Sequence, residues 1–275
     1  MTAMDVATTE ALADKSRAIR RRRYRLLSVE VTFPVLVVVA VGVWTASAGL
    51  YFIPPLTGVL VAFQENWLFA RMASDVLPSL SRMMIGFIGA VVIGVVVGFV
   101  LGQAHRLQAM FAPVLEFLRA IPAVALIPLV IIVLGLDDTA KVILITFICL
   151  WPVLLNTEAA IRGMDPGLRE TARVYGIHWF RYELQVALPA AAPQIFAGMR
   201  TSLSLALIMV VVSEMMAGGN GIGVFVLQSQ RSFAITDMWS GIVLIGIFGY
   251  VFNLLLIVVE NRVLAWHHGA NTAVE

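Results

Sequence analysis

The sequence predicts an all-α integral membrane protein with six transmembrane helices and one polar, helical loop between the fourth and the fifth. Three observations carry this. Apolar residues make up 60% of the 275-residue chain and charged residues 13%, against roughly half and a quarter in a soluble domain, and the mean hydropathy is +0.91. Six blocks hold roughly the 20 apolar residues that a helix needs to cross a ~30 Å hydrocarbon core. The basic residues gather in two segments instead of spreading along the chain.

The elements follow in order. The N-terminal tail, residues 1–28, carries seven Lys/Arg between Lys15 and Arg25, although the net charge is only +2. Beside an apolar block such a cluster reads as a topology signal, not a nucleic-acid patch. The first span is expected at 29–49. Its arginines, apolar run and Ala46-Ser47-Ala48 also fit a signal peptide with its cleavage site. The long tail before the arginines, Glu30 at the start of the run and the membrane character of everything downstream favour a retained span.

Residues 50–78 form an external segment. Within it Val59, Leu60, Phe63, Trp67 and Leu68 fall near one helical face, which predicts a short helix lying at the outer interface. Further spans are expected at about 79–103, 117–136, 140–158, 195–217 and 239–260. The third span carries Pro122 and Pro128 and the fourth Pro152. Proline is tolerated inside membrane helices, so these predict kinks and not breaks. Gly86, Gly94, Gly98 and Gly102 recur at helical spacing and predict close helix approach. The 218–238 stretch opens Gly-Gly-Asn-Gly-Ile-Gly, a flexible turn suited to lining or gating a path. With no preceding strand and no Gly-Lys-Ser it does not fit a phosphate loop. Residues 263–275 form the C-terminal tail.

Orientation follows from the basic residues. The tail and the 159–194 loop, with Arg162, Arg169, Arg173 and Arg181, are rich. Arg71, Lys141 and Arg231 are spread over the opposite segments. An even number of spans separates the two rich segments, which places both, and the C-terminal tail, in the cytoplasm.

Catalysis has no visible basis. There is no nucleophile–base pair and no metal-ligand cluster; His178 stands alone and His267-His268 is a tail pair. The single cysteine, Cys149, excludes an internal disulfide. Ionisable residues inside spans are the more informative group, because each one is costly there. Arg82 and Glu214 fall near the outer ends of the second and fifth spans. Either each snorkels to the interface or the two pair across the bundle as part of an outer gate. Arg119 and Arg200 are placed near cytoplasmic ends. Glu116, one turn from Arg119, predicts a structural ion pair there.

The polar loop has a readable architecture. Asp165-Pro166 supplies an N-cap and a first helical residue. Arg169 and Arg173 then share a face, and Gly176 suits the left-handed position that ends a helix. A second helix is expected at about 178–188, stopping at Pro189. By spacing alone, the loop is either a solvated basic segment that fixes topology or a short helix offered to a partner.

Glu170-Thr171-Ala172 is followed by three residues, Gly176, nine residues, Val186, one residue and Leu188-Pro189. This resembles the EAA signature of bacterial ABC importer permeases, with Thr171 and Val186 in place of Ala and Ile. The literal Glu158-Ala159-Ala160 does not fit: two residues separate it from Gly163 and no Leu-Pro follows at the right distance. Residues 79–102, 116–136 and 198–226 are similar to the sulfonate, taurine, nitrate and bicarbonate branch of these permeases, within a permease core at about 73–262. The resemblance implies a type I ABC importer permease of the bacterial cytoplasmic membrane, working as a homodimer among lipid. Two ATPase subunits would bind ATP and Mg and dock on the coupling loop formed by Asp165, Arg169, Glu170, Thr171, Ala172, Arg173, Gly176, Leu188 and Pro189. An external binding protein would deliver a small, anionic solute. This chain has no Walker A lysine pattern of its own, and no nucleic-acid partner is implied. Sulfonate, taurine, nitrate and aromatic acids are all compatible, as is a cationic or neutral vitamin precursor. A self-contained secondary transporter would show internal repeats and midplane charges, and a membrane-anchored enzyme a clustered His, Asp or Ser site. Neither pattern is visible.

Overall fold

The computed structural model describes residues 51–265 and, before them, residues 32, 36–45, 47 and 49. The basic cluster Lys15–Arg25, Glu30 and His267-His268 lie outside the described residues. The chain divides into two compact units, 1–61 and 62–275. The first holds α1 (Leu36–Thr45), a short apolar helix inside the block expected as span one; the rest of that block is largely outside the described residues.

All regular elements among the described residues are helical. α2 (Leu56–Glu65) continues through two wide π-helical turns, Asn66–Ala70 and Met72–Val76, into α3 (Leu77–Gln103). The wide turns reset the helical register after Glu65. The residues expected on a single apolar face are split, already within α2: Val59 and Trp67 are buried, while Leu60 and Leu68 are exposed. Trp67 is anchored by its indole N–H, which donates to Ser240 Oγ at 3.1 Å, and by Phe225, which meets its ring edge-on.

Among the described residues, four helical runs are long and apolar enough to cross a membrane. They are α3 with its lead-in, α6 (Asp138–Arg162), the run that includes α9 (Leu188–Ala217), and α11 (Ile235–Val263). A fifth crossing is bent. α4 (His105–Ala120) and α5 (Ala123–Leu134) meet at 88°.

The glycine ridge of α3 packs on α6. A Cβ on Gly86 would stand 2.7 Å from Ile145, one on Gly94 2.9 Å from Val153, one on Gly98 2.8 Å from Thr157 and one on Gly102 2.7 Å from Ile161. Each is closer than side chains tolerate, so only glycine admits this approach. In lipid, where helices gain no hydrophobic drive against each other, such close backbone contact supplies the attraction. The partner residue advances in step with the glycine, so α3 and α6 run parallel. Parallel neighbours need one return crossing between them, and the α4–α5 elbow makes it. α9 runs antiparallel to α6: Ser202 Oγ donates to the Cys149 carbonyl at 2.6 Å and Gln194 Nε2 to Asn156 Oδ1 at 3.0 Å. α11 runs antiparallel to α9, with Gly249 facing Leu207 and Arg200 paired to Glu260. The end of α11 thus lies on the same side as the polar loop.

Two prolines depart from expectation. Pro122 breaks its helix: Ile121 and Pro122 are both extended, with ψ of 120° and 117°. The proline ring pushes the residue before it out of the α region, and Pro122 then caps α5. Pro128 and Pro152 remain inside helices. The span expected at 117–136 is thus an elbow whose first arm begins at His105. Pro189, in contrast, stops nothing. α8 (Trp179–Tyr182), a π-helical turn at Glu183–Ala187 and α9 form one continuous run. Pro189 falls in the first turn of α9 after the wider π ring, where its missing N–H costs little.

Candidate functional site

α7 (Pro166–Val174) is held at both ends. Asp165 Oδ1 accepts from the Gly167 N–H at 2.8 Å, with Pro166 opening the helix. At the other end Gly176 N donates to the Arg173 carbonyl at 3.1 Å and Ile177 N to the Ala172 carbonyl at 2.9 Å, the paired bonds of a Schellman motif. That motif needs a left-handed residue, and Gly176 has φ +65°. Ala172 is buried against Ile161, Tyr182, Ala187, Ala191 and Ile195, with Leu188 packed beside them.

Charge lines one side of this helix. The Arg169 guanidinium lies 5.9 Å over the Tyr182 ring. Arg169, Glu170 and Arg173 line a cleft of about 370 Å³ that Arg162 and Asp165 also border. Thr171 is exposed. The tip is apolar and bare: Val174 is 85% exposed, Tyr175 78% and Trp179 67%. Glu158, of the literal Glu-Ala-Ala, sits inside α6 and accepts from Arg162 at 3.1 Å.

A second cluster occupies the opposite end of the bundle. Arg82 Nη1 donates to Glu214 Oε1 and to the Asn220 carbonyl, both at 2.9 Å, and Arg82 Nε to Asp138 Oδ1 at 2.8 Å. Glu214 also accepts from Ser79 Oγ at 2.7 Å and from Gly223 N at 3.0 Å. Asp75 accepts from Gly221 N at 3.0 Å, and Lys141 Nζ donates to the Gly218 carbonyl at 2.9 Å. Arg82 and Glu214 are both buried and do not snorkel. The glycine-rich turn, expected to be flexible, is pinned by hydrogen bonds to four elements: α3, α6, α9 and the lead-in turn of α3. The sequence reading missed Asp75, Ser79, Asp138, Lys141 and Asn220. For Asp75, Ser79 and Arg82 the spacing i, i+4, i+7 of one helical face is the signal the sequence holds.

Arg119 is not at a cytoplasmic end. It stands at the elbow, beside the middle of α6 and α9, where it and Glu116 line an open cavity of about 620 Å³ with Ile148, Trp151 and Leu205. Among the described residues neither forms an ion pair, so the pair expected between them is absent. An exposed pair three residues apart gains only about 0.2–0.5 kcal/mol, which lost rotamer freedom offsets. Arg200 is paired, with Glu260.

The family model of the binding-protein-dependent transport system inner membrane component matches residues 90–264. The chain belongs to that family. This permease is 29% identical over 235 residues to the aliphatic sulfonates transport permease SsuC of Bacillus subtilis, covering 84% of this chain and 85% of that one. It is 29% identical over 266 residues to the taurine transport system permease protein TauC of Escherichia coli, covering 90% and 94%. A solved chain of the MetNI methionine ABC transporter, in an inward-facing conformation, shares the fold with a TM-score of 0.59 at 20% identity, over 72% of this chain and 97% of that chain. The permease is an inner-membrane transport subunit of an ABC importer, and the ATPase and the binding protein of such systems are separate partners.

Proposed function

We propose that two copies of this permease form a pathway for a small anionic solute, a sulfonate, taurine, nitrate or similar organic acid, and that α7 couples the pathway to an ATPase. The observation that carries the coupling role is the build of α7: clamped by Asp165 and Gly176, rooted by Ala172, yet presenting bare Val174, Tyr175 and Trp179. A soluble surface does not leave such a cluster uncovered without a partner. The charged row of Arg169, Glu170 and Arg173 flanks it, so an apolar tip with a polar rim fits a cleft on a cytoplasmic subunit. Rotation of that subunit pair on ATP binding would move α7, and Ala172 would pass the motion to α6 and α9.

The Lys/Arg distribution supports a cytoplasmic position for the α7 side, and with it for both termini. The external 50–78 segment and the Arg82–Glu214 cluster then face outwards, where the cluster acts as an outer gate post beside the docking site of a binding protein. α4, which buries none of its residues within this chain, supports contact with a second copy and with lipid. The sulfonate and taurine relatives support the solute class. In the test, the permease is co-expressed with its neighbouring ATPase and binding protein and reconstituted in liposomes. ATP-dependent uptake of the solute that the binding protein carries is expected. A permease that recruits no ATPase and transports alone would overturn this reading.

A further inference from the structure

We propose that the open cavity at the α4–α5 elbow is a solute site at mid-depth of the membrane, and that it takes a small solute bearing an acidic and an amino group a few bonds apart. The proposal rests on the permease reading, adds the place of the site, and narrows the solute class given there to acids that also carry an amino group, which leaves plain anions such as nitrate outside it. Depth comes from the walls: Trp151 and Leu205 lie near the middle of α6 and α9. The elbow meets them there because α5, Ala123–Leu134, is about half the length of the helix it accompanies.

Ionisable groups at that depth are costly against lipid and therefore face water-filled space or a bundle interior. Glu116 and Arg119 are both exposed and, among the described residues, unpaired. They sit three positions apart, on one face of α4. Arg119 offers a planar fork that matches a sulfonate or carboxylate. Glu116 offers an anion to an ammonium group. Ile148, Leu205 and the Trp151 ring supply an apolar wall for the carbons between. A plain anion entering this site meets Glu116 as well as Arg119 and is repelled by it. A solute with both charges satisfies both side chains.

Thiol labelling of the full complex in liposomes tests this without knowing the solute. Cys149 is the chain's single cysteine and is fully buried, so the background is low. The probes are membrane-impermeant methanethiosulfonates carrying either an ethylsulfonate or an ethyltrimethylammonium group. Leu205→Cys is expected to react with both, while Ile208→Cys, exposed outside the cavity lining, reacts with neither. Adding Arg119→Gln slows the sulfonate probe about tenfold, and adding Glu116→Gln slows the ammonium probe about tenfold, the size of effect that one nearby charge exerts in a partly hydrated site. Arg119→Lys restores the sulfonate rate, and retained ATPase activity of each complex shows that the variants assemble. The proposal is overturned if Leu205→Cys is inert in both nucleotide-free and ATP-bound states, or if the charge changes leave the rates alone. It also fails in its two-charge form if only Arg119→Gln has an effect. Loss of ATP-driven uptake with this labelling pattern intact would count against the permease reading instead.

Discussion

Arg82 and Glu214, 132 residues apart in the chain, meet at 2.9 Å with almost no exposure of either side chain. Glu214 is enclosed by Arg82, Ser79 and the Gly223 N–H, so its charge has no route to water. Removing one partner of such a pair strands the other, which costs about 3–5 kcal/mol. Glu214→Ala is therefore expected to lower the unfolding temperature of the detergent-solubilised permease sharply, and Arg82→Ala likewise. Arg200→Ala, whose pair with Glu260 is exposed, is expected to cost under about 1 kcal/mol. Equal thermal shifts for the two pairs would contradict this ranking.

The glycine ridge makes a separate prediction. A Cβ at Gly98 would strike the backbone at Leu154 and the Thr157 side chain, whereas one at Gly246 meets nothing within 4 Å. Gly98→Ala is expected to cost about 1–3 kcal/mol by forcing α3 and α6 apart, and Gly246→Ala to be neutral or mildly stabilising. Folded yield after size-exclusion chromatography separates the two.

Gly176 offers a way to disturb α7 without touching the bundle. A side chain there has room, with nothing within 4 Å, but not the backbone, at φ +65°. Gly176→Val is expected to cost about 1–2 kcal/mol of local strain and to loosen the end of α7. ATP hydrolysis should then continue while uptake falls, with membrane insertion unchanged. Tightly coupled uptake at the native rate would remove Gly176 from the coupling role.

The bare tip gives the most direct test of docking. Truncating Tyr175 and Trp179 to alanine removes two exposed rings and leaves the caps at Asp165 and Gly176 in place. Affinity for the ATPase is expected to fall at least about tenfold, as loss of aromatic anchors does at interfaces. Co-purification with a tagged ATPase reads the result; undiminished recovery would move the docking surface elsewhere.

Much of this molecule is legible along the chain, because its causes are local. Helices need only apolar length, α7 needs only Asp165-Pro166 and Gly176 at its ends, and the close approach of α3 follows from glycines at helical spacing. The resemblance of Glu170 to Pro189 to a permease signature is a pattern of intervals, which can be read along the chain. Pro122 and Pro189 were not legible, since a proline kinks, breaks or is absorbed according to what its neighbours do. Two extended residues made an elbow at Pro122, and a π turn made room for Pro189.

What the sequence by itself determined is the membrane class, the loop helix and the face along which α3 packs. The tertiary structure decided which charges meet. Arg82 finds Glu214 because α3 and α9 are brought together with the glycine-rich turn between them. Among the described residues Arg119 has no ion-pair partner, and the elbow sets it beside the middle of α6. Charge attraction is set by distance in space, and the chain carries only distance along itself.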